Sequence, residues 1–288
     1  MKKLLLIDSH ALIHRMFHAM APLTGPQGEP VGALYGLAKL LLKIKAELNP
    51  DYIAACGDRP EPTFRKEQYT AYKATRQPTD TDLIPQITKM REVFDWFKIR
   101  FFELPGFEAD DLIGTLATKL KAEPDLQIII LSGDRDMLQL VEGDKVVVDL
   151  LVNGDQRTVL MNEGMVFEKY GLKPKQIIDL KGLIGDTSDN IPGVMGIGEK
   201  SATPLLQEFE TIEGIYENLV IITPKIAKKL EGHIEEARMS RDLATIHTTV
   251  PVFIDSLQDL KALPLDKPSL IANFSGLGFV SLIRQLEG

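Results

Sequence analysis

In its first half this chain alternates short apolar runs with longer stretches of helical periodicity, and that rhythm narrows its possible folds more than any other feature. Residues 4–7 (LLLI), 52–56 (YIAAC), 99–102 (IRFF), 127–131 (QIIIL) and 146–150 (VVVDL) read as strands. Between them, 31–48 carries Leu34, Leu37, Leu41, Leu42, Ile44 and Leu48 at helical spacing, and 82–97 and 109–120 behave likewise. Strands joined by helical crossovers lie parallel, so the pattern predicts an α/β fold with a mostly parallel sheet flanked by helices. Asn153-Gly154, between 146–151 and 157–160, predicts a hairpin at the sheet's edge. From about Pro174 onward the pattern turns mainly helical, and no internal repeat or low-complexity tract interrupts it.

Each of three strands delivers an acid just beyond its C-terminal end: Asp8 after 4–7, Asp58 after 52–56, and Asp134 after 127–131. That edge of a parallel sheet is where ligands bind. Three further clusters join them: Glu108 with Asp110 and Asp111, Asp134 with Asp136, and Asp186 with Asp189. Residues three apart share a helix face, so Glu108 with Asp111 and Asp186 with Asp189 can each aim two carboxylates one way, as can Asp134 and Asp136 if extended. So many anions together would strain the fold unless cations sit among them, and hard oxygen donors select Mg²⁺ or Mn²⁺. Two such ions about 4 Å apart suit an in-line displacement at a phosphodiester, which is nuclease chemistry.

Two other segments point toward nucleic acid. Between Arg65 and Arg76 the sequence RKEQYTAYKATR sets Arg65, Lys66, Lys73 and Arg76 against one acid, with Tyr69 and Tyr72 interleaved. Cations can hold phosphates while a ring stacks on an unpaired base. The run 193–202 (GVMGIGEKSA) is not a Walker loop, because Glu199 separates the last glycine from Lys200, and no strand precedes it as a dinucleotide fingerprint requires. It reads instead as a tight hairpin between helices. There Gly193, Gly196 and Gly198 let backbone approach a phosphate, and Lys200 and Ser201 begin the second helix.

The remaining composition excludes several classes. At 288 residues, 44% hydrophobic and 26% charged, the chain has material for one large domain or two modest ones. Cys56 is the sole cysteine, which rules out an internal disulfide framework and a cysteine-rich zinc site and suits a reducing cytoplasm. The run 4–7 is too short for a signal peptide and no run approaches the ~20 residues of a membrane span, so the expected place is inside the cell, with no membrane partner. His10, His14 and His18 are spaced four apart and are compatible with a zinc triad, but without an HExxH motif they read better as packing or phosphate contacts. The net charge of −8 argues against coating nucleic acid by bulk charge.

Taken together, LLLIDSHALIHRMFHA, GEPVGALYGLAKLLLK, GDRPEPTFRKEQYTAYKATR, PGFEADDLIGTLA, SGDRDMLQL, GDTSDNIPGVMGIGEKSA and GLGFVSLIRQL resemble, in family order and over essentially the whole chain, the 5′-nuclease (flap endonuclease) family. The resemblance is strongest to the 5′ to 3′ exonuclease domain at the front of bacterial DNA polymerase I. It implies a PIN-like catalytic core over 1–173 with an arch at about 62–98. It further implies a helical DNA-binding region over 174–288, containing a helix-three-turn-helix at about 176–210.

Carried across by motif, Asp8, Asp58, Glu108, Asp110, Asp111, Asp134, Asp136, Asp186 and Asp189 would hold two or three metal ions. Lys73 and Arg76 would steer the scissile phosphate, Tyr72 would stack near the displaced base, and Arg15 would stand near the site. Arg65, Lys66 and Tyr69 would add contacts to DNA, and the hairpin 193–202 would clamp duplex, with a K⁺ ion as in the family. The expected partner is DNA with a 5′ flap or a single-strand/duplex junction, with an RNA primer strand as a variant. The chain is expected to be a monomer and could precede a polymerase in a longer protein. Setting aside the nine site acids leaves the remainder slightly basic, which answers the charge objection. Where many members have Asp-Gly this chain has Asp8-Ser9, and it has Gly57 before Asp58 and His14 at a common tyrosine position. Two other readings are a dehalogenase-type phosphatase, for which Asp8-Ser9-His10 lacks the second acid, and a non-catalytic junction-binding module, which would have lost site acids.

Overall fold

The computed structural model describes residues 1–152 and 157–288. In chain order the elements are β1 (Lys2–Asp8), α1 (Ser9–Ala19), α2 (Gly32–Glu47), β2 (Tyr52–Cys56), α3 (Phe64–Gln68), α4 (Ile84–Trp96), β3 (Arg100–Phe102), α5 (Ala109–Leu120) and β4 (Leu126–Ser132). A 3₁₀ turn (Arg135–Leu140), β5 (Val146–Val152), β6 (Arg157–Met161) and α6 (Glu163–Tyr170) complete the first half. Then come α7 (Gln176–Ile184), α8 (Glu199–Phe209), α9 (Ile212–Glu217), α10 (Pro224–Leu230), α11 (Ile234–Ala244), α12 (Lys267–Gly276) and α13 (Val280–Glu287).

The sheet runs β3-β2-β1-β4-β5-β6. The first five strands are parallel and β6 pairs antiparallel with β5. The flanks of the expected hairpin thus pair as anticipated, while its turn, Asn153-Gly154, lies outside the described residues. Helices cover both faces, which is why the central strands are continuous apolar runs. On β1, Leu5 and Ile7 face the layer of α1, α2 and α4, while Leu4 and Leu6 face α5; on β4, Ile129 and Leu131 alternate the same way with Ile128 and Ile130. Cys56 is buried on the α5 side, its thiol pushed up by burial, as a strand cysteine should be.

The chain steps outward from β1 to β2 and β3, then crosses back to β4 on the other side of β1. This reversal opens a crevice beyond the C-terminal ends of β1 and β4, where Asp8 and Asp134 lie.

The second half packs differently from a single unit over 174–288. Helices α7 to α11 enclose their own core, including Leu183, Leu206, Ile212, Ile215 and Leu230. After α11 the chain returns to the sheet: Ile246, Val250, Val252 and Leu260 join the α5 layer, and Leu270 and Phe274 of α12, Phe279 just before α13 and Leu282 within it join the α2 layer. The last forty-odd residues are therefore part of the α/β core, because their apolar stripe has no other face to cover. No helix among the described residues is long and apolar enough to cross a membrane.

Candidate active site

Asp8 ends β1 and caps α1, accepting from the Ala11 amide at 3.0 Å, while its other oxygen accepts from Ser132 Oγ at 2.7 Å. Burial pushes its carboxyl up to about 7, against the pull of that hydroxyl. Asp58 accepts from the Ala109 amide at 2.7 Å, and its own amide donates to His10 Nδ1 at 2.9 Å. The acid beyond β4 is held by the same serine: the Asp134 amide donates to Ser132 Oγ at 2.9 Å. Asp134 and Asp136 are not extended, as one reading of the sequence has them; Asp134 accepts from the Asp136 amide at 2.9 Å and caps the 3₁₀ turn.

Two adjoining clefts gather these acids. The smaller, about 260 Å³, is lined by Asp8, Asp58, Glu108, Asp110 and Asp134 together with His10, His14, Lys73 and Arg76. The larger, about 760 Å³, shares Asp134 and adds Asp136 and Asp186. The turn 186–190 is not a helix, so Asp186 and Asp189 diverge: Asp186 faces the larger cleft, and Asp189 meets Glu108 through the side chains of 72–76.

Cationic and hydroxyl side chains occupy the space between the acids. Lys73 Nζ lies 2.8 Å from Glu108 and 3.9 Å from Asp189, and Arg76 donates to Asp189 at 2.5 Å. Lys181, which the sequence reading missed, bridges Asp136 and Asp186. Asp186 is consequently held at about 2: burial opposes its charge but Lys181 and Ser188 more than offset it. Asp136 rises to about 7, chiefly through burial and the neighbouring Asp134, with Lys181 pulling the other way. Burial also raises Asp110 well above the carboxylate range. With their oxygens turned to internal partners, no three acid, His or Cys side chains among the described residues form a ready-made metal cage. The donor set nonetheless fits a hard divalent cation. Several of its carboxylates are clustered and desolvated enough to resist ionising, a cost that such an ion would offset.

Three expected roles are corrected by burial. Arg65 is only 2% exposed, with its guanidinium on Asp111 at 2.8 Å through two bonds and on the carbonyls of Leu243 and Thr245. It holds the fold together and offers nothing to a phosphate. Asp111, fully buried in that ion pair, also accepts from the Glu108 amide, closing a capping box at the start of α5 rather than facing a metal. Tyr72, 4% exposed, cannot stack on a base; its hydroxyl donates toward Glu108 at 3.1 Å and Asp189 at 3.2 Å. Lys66 donates to the Tyr72 carbonyl and Tyr69 packs beside Tyr72, so both serve the turn first.

Arg15, by contrast, lines the larger cleft with no hydrogen bond or ion pair among the described residues. The histidines do not gather as a triad. His10 and His14 line the small cleft, where burial and His10 keep His14 below its usual range, while His18 is exposed beside Phe17.

The glycine hairpin joins α7 to α8. Gly193, at φ +62°, packs so closely that an added Cβ would meet the Gly185 nitrogen at 2.2 Å. Gly198 is different: an added Cβ would meet nothing, so its bareness faces outward at the N-terminus of α8, beside exposed Lys200 and half-buried Ser201. Lys229 of α10 braces the turn by donating to the Gly196 carbonyl at 2.6 Å.

A doubly covered parallel sheet with carboxylates and cations converging at its switch point, followed by a helical hairpin, defines a phosphodiesterase-like architecture. Two family models divide the sequence: "5′-3′ exonuclease, N-terminal resolvase-like domain" matches 3–171 and "5′-3′ exonuclease, C-terminal SAM fold" matches 172–268. The chain belongs to the 5′-3′ exonuclease family, and is thus a nuclease, a phosphodiester hydrolase. It is 39% identical over 287 residues to DNA polymerase I of Bacillus subtilis, covering 99% of this chain and 32% of that protein. To the thermostable DNA polymerase I of Thermus thermophilus it is 40% identical over 284 residues, covering 98% and 33%. The chain thus spans about a third of the length of the curated relatives it matches. Its fold is also that of the T5 D15 protein co-crystallized with metal ions (TM-score 0.71, 21% identity, 100% of both chains). The catalytic core of Rad2 in complex with DNA substrate is similar too (TM-score 0.64, 15% identity, 99% of this chain and 92% of that one).

Proposed function

We propose that this chain is a Mg²⁺-dependent, structure-specific 5′ nuclease that hydrolyses phosphodiester bonds near the junction of a DNA duplex and a 5′ single strand, as primer removal and repair require. The observation carrying this reading is the position of Asp134, common to two adjoining acid-lined clefts at the switch point of the sheet. Asp8, Asp58, Glu108, Asp110 and Asp134 would hold one ion and Asp134, Asp136 and Asp186 a second. Mn²⁺ is the natural substitute. When bound, the ions supply Lewis-acid activation of water and stabilisation of the leaving oxygen.

The rest of the work falls to the chain. Lys73 and Arg76, already between Glu108 and Asp189, present two positive charges where a scissile phosphate enters. Lys73 holds a left-handed backbone, φ +54°, with its amide donated to the Asp189 carbonyl, so the base of the arch is fastened to the acid turn before substrate arrives. Tyr72 ties Glu108 to Asp189, which makes it a positioning residue. The 193–202 hairpin would grip duplex backbone without reading sequence. In this reading 1–173, completed by Asp186, carries the chemistry and 174–244 the duplex grip. The reading takes the activity to be in a bacterial cytoplasm, and the likeness to bacterial DNA polymerase I supports it.

Cleavage of a 5′-end-labelled flap duplex tests the reading. Mg²⁺-dependent release close to the junction, with single-stranded and blunt controls cut far less and EDTA abolishing it, is expected; no cleavage in Mg²⁺ or Mn²⁺ despite junction binding would leave a binding module instead. Lys73→Ala should slow single-turnover cleavage by about 10²–10³ while changing DNA affinity only about threefold. Equal losses in both would remove Lys73 from the chemistry.

A further inference from the structure

The larger cleft does more than complete the acid cluster: it extends away from the arch. Its lining includes Asp134, Asp136 and Asp186 and also Glu199, the first residue of α8, next in sequence to the outward-facing Gly198. It is therefore a continuous trough between the place where a bond would be cut and the hairpin that would hold duplex. Its volume, about 760 Å³, is well beyond what a metal ion and its water need.

Three polar groups on its walls have no business among themselves. Arg135 is exposed at the start of the 3₁₀ turn and has no hydrogen bond or ion pair among the described residues. Arg15, from α1, is likewise without a partner among the described residues, its Nε buried and unsatisfied. The Tyr170 hydroxyl, at the end of α6, is buried and unsatisfied as well. Burial raises that phenol while the nearby Arg135 works against the shift. Among the described residues the other cations around the acids are engaged: Lys181 on Asp136 and Asp186, Lys73 on Glu108, Arg76 on Asp189. Two arginines that ignore carboxylates a few residues away are placed for anions brought from outside, and a guanidinium suits phosphate in particular.

Resting on the nuclease reading above, we propose that this trough binds the sugar–phosphate backbone of the cut strand on its duplex side, with Arg135 and Arg15 on successive phosphates and Tyr170 at the trough floor. The arch cations thus serve the single-stranded side of the scissile phosphate and the arginines the duplex side. Arg135 is a binding residue for this strand, not a catalytic one.

Affinity for a 5′-flap duplex, measured in EDTA by fluorescence anisotropy across a salt series, tests this independently of cleavage. Arg135→Gln should weaken binding about tenfold near 0.1 M salt and lower the slope of log affinity against log salt by about 1. An unchanged affinity and slope, with the parent protein binding normally, overturns the trough assignment alone; failure of the parent to prefer the junction over blunt duplex overturns the nuclease reading beneath it. Tyr170→Phe gives a second readout. If its hydroxyl meets the strand, binding weakens about threefold; if the variant merely melts higher with unchanged binding, the hydroxyl is a buried orphan and the trough floor takes no part.

Discussion

Asp134→Asn should lower single-turnover flap cleavage by at least about 10³-fold while leaving the thermal midpoint almost unmoved. The two halves of that expectation come from different properties of one side chain. As a fold element, Asp134 caps the 3₁₀ turn through a bond from the Asp136 amide, and asparagine caps as well as aspartate does. As a donor, it is the acid common to both clefts, so replacing a charged oxygen by an amide weakens two cation positions at once. A loss of about 4 kcal/mol of transition-state stabilisation corresponds to about 10³ in rate. Calorimetric titration with Mg²⁺ should show weakened binding in parallel, by at least about tenfold. Wild-type cleavage in the variant would sink the two-cleft model, and a collapse of the thermal midpoint would mean that the loss of activity says nothing about metal.

The fold was legible in the sequence where a local period carried it. Every expected strand is present, because a strand buried on both faces is an uninterrupted apolar run bounded by turns, and 4–7 and 128–131 are of that kind. The destination of the last segment was not legible. Residues 246–286 carry an amphipathic pattern that reads equally well as part of a helical domain, and only the three-dimensional location of an uncovered sheet face sends Leu270, Phe274 and Leu282 back to the core. Periodicity says which side of a helix is apolar, not what that side touches.

The site shows the same division. The convergence of Asp8, Asp58 and Asp134 followed from strand ends alone. Residue type within 65–76 misled, because a basic residue in a polar run reads as a surface cation. Arg65 enters the interior instead, since Asp111 must be buried at the start of α5 and needs a partner there. Tyr72 left the surface for a related reason: two facing carboxylates offer its hydroxyl better acceptors than solvent does. Lys181 gave almost no signal, being one lysine in the helix before Asp186, and its role depends on the approach of Asp136 from a segment 45 residues away. Long-range pairing of this kind has no local spacing to betray it.

The Arg65 network yields the largest expected loss of stability. Arg65→Met should destabilise the protein by about 3–5 kcal/mol, lowering the thermal midpoint by about 10 °C. The methionine fills the volume but leaves Asp111 fully buried without its cation and strips the carbonyls of Leu243 and Thr245 of their donor. Adding Asp111→Asn removes the stranded charge but keeps only one acceptor oxygen, enough for the amide of Glu108 or of His247 and not for both, so Arg65→Met with Asp111→Asn should recover part of the midpoint. Cleavage should not recover to the same extent. Arg65 also lies 3.4 Å from Glu108, and the carboxylate of Glu108 must be placed for Lys73 and Tyr72. A stable double variant with slow chemistry would show that the buried pair orients the site as well as holding α3, α5 and the 243–247 segment together. A double variant as unstable as Arg65→Met alone would assign the loss to the orphaned carbonyls, and a single-variant loss below about 1 kcal/mol would mean that the network is not the structural tie described.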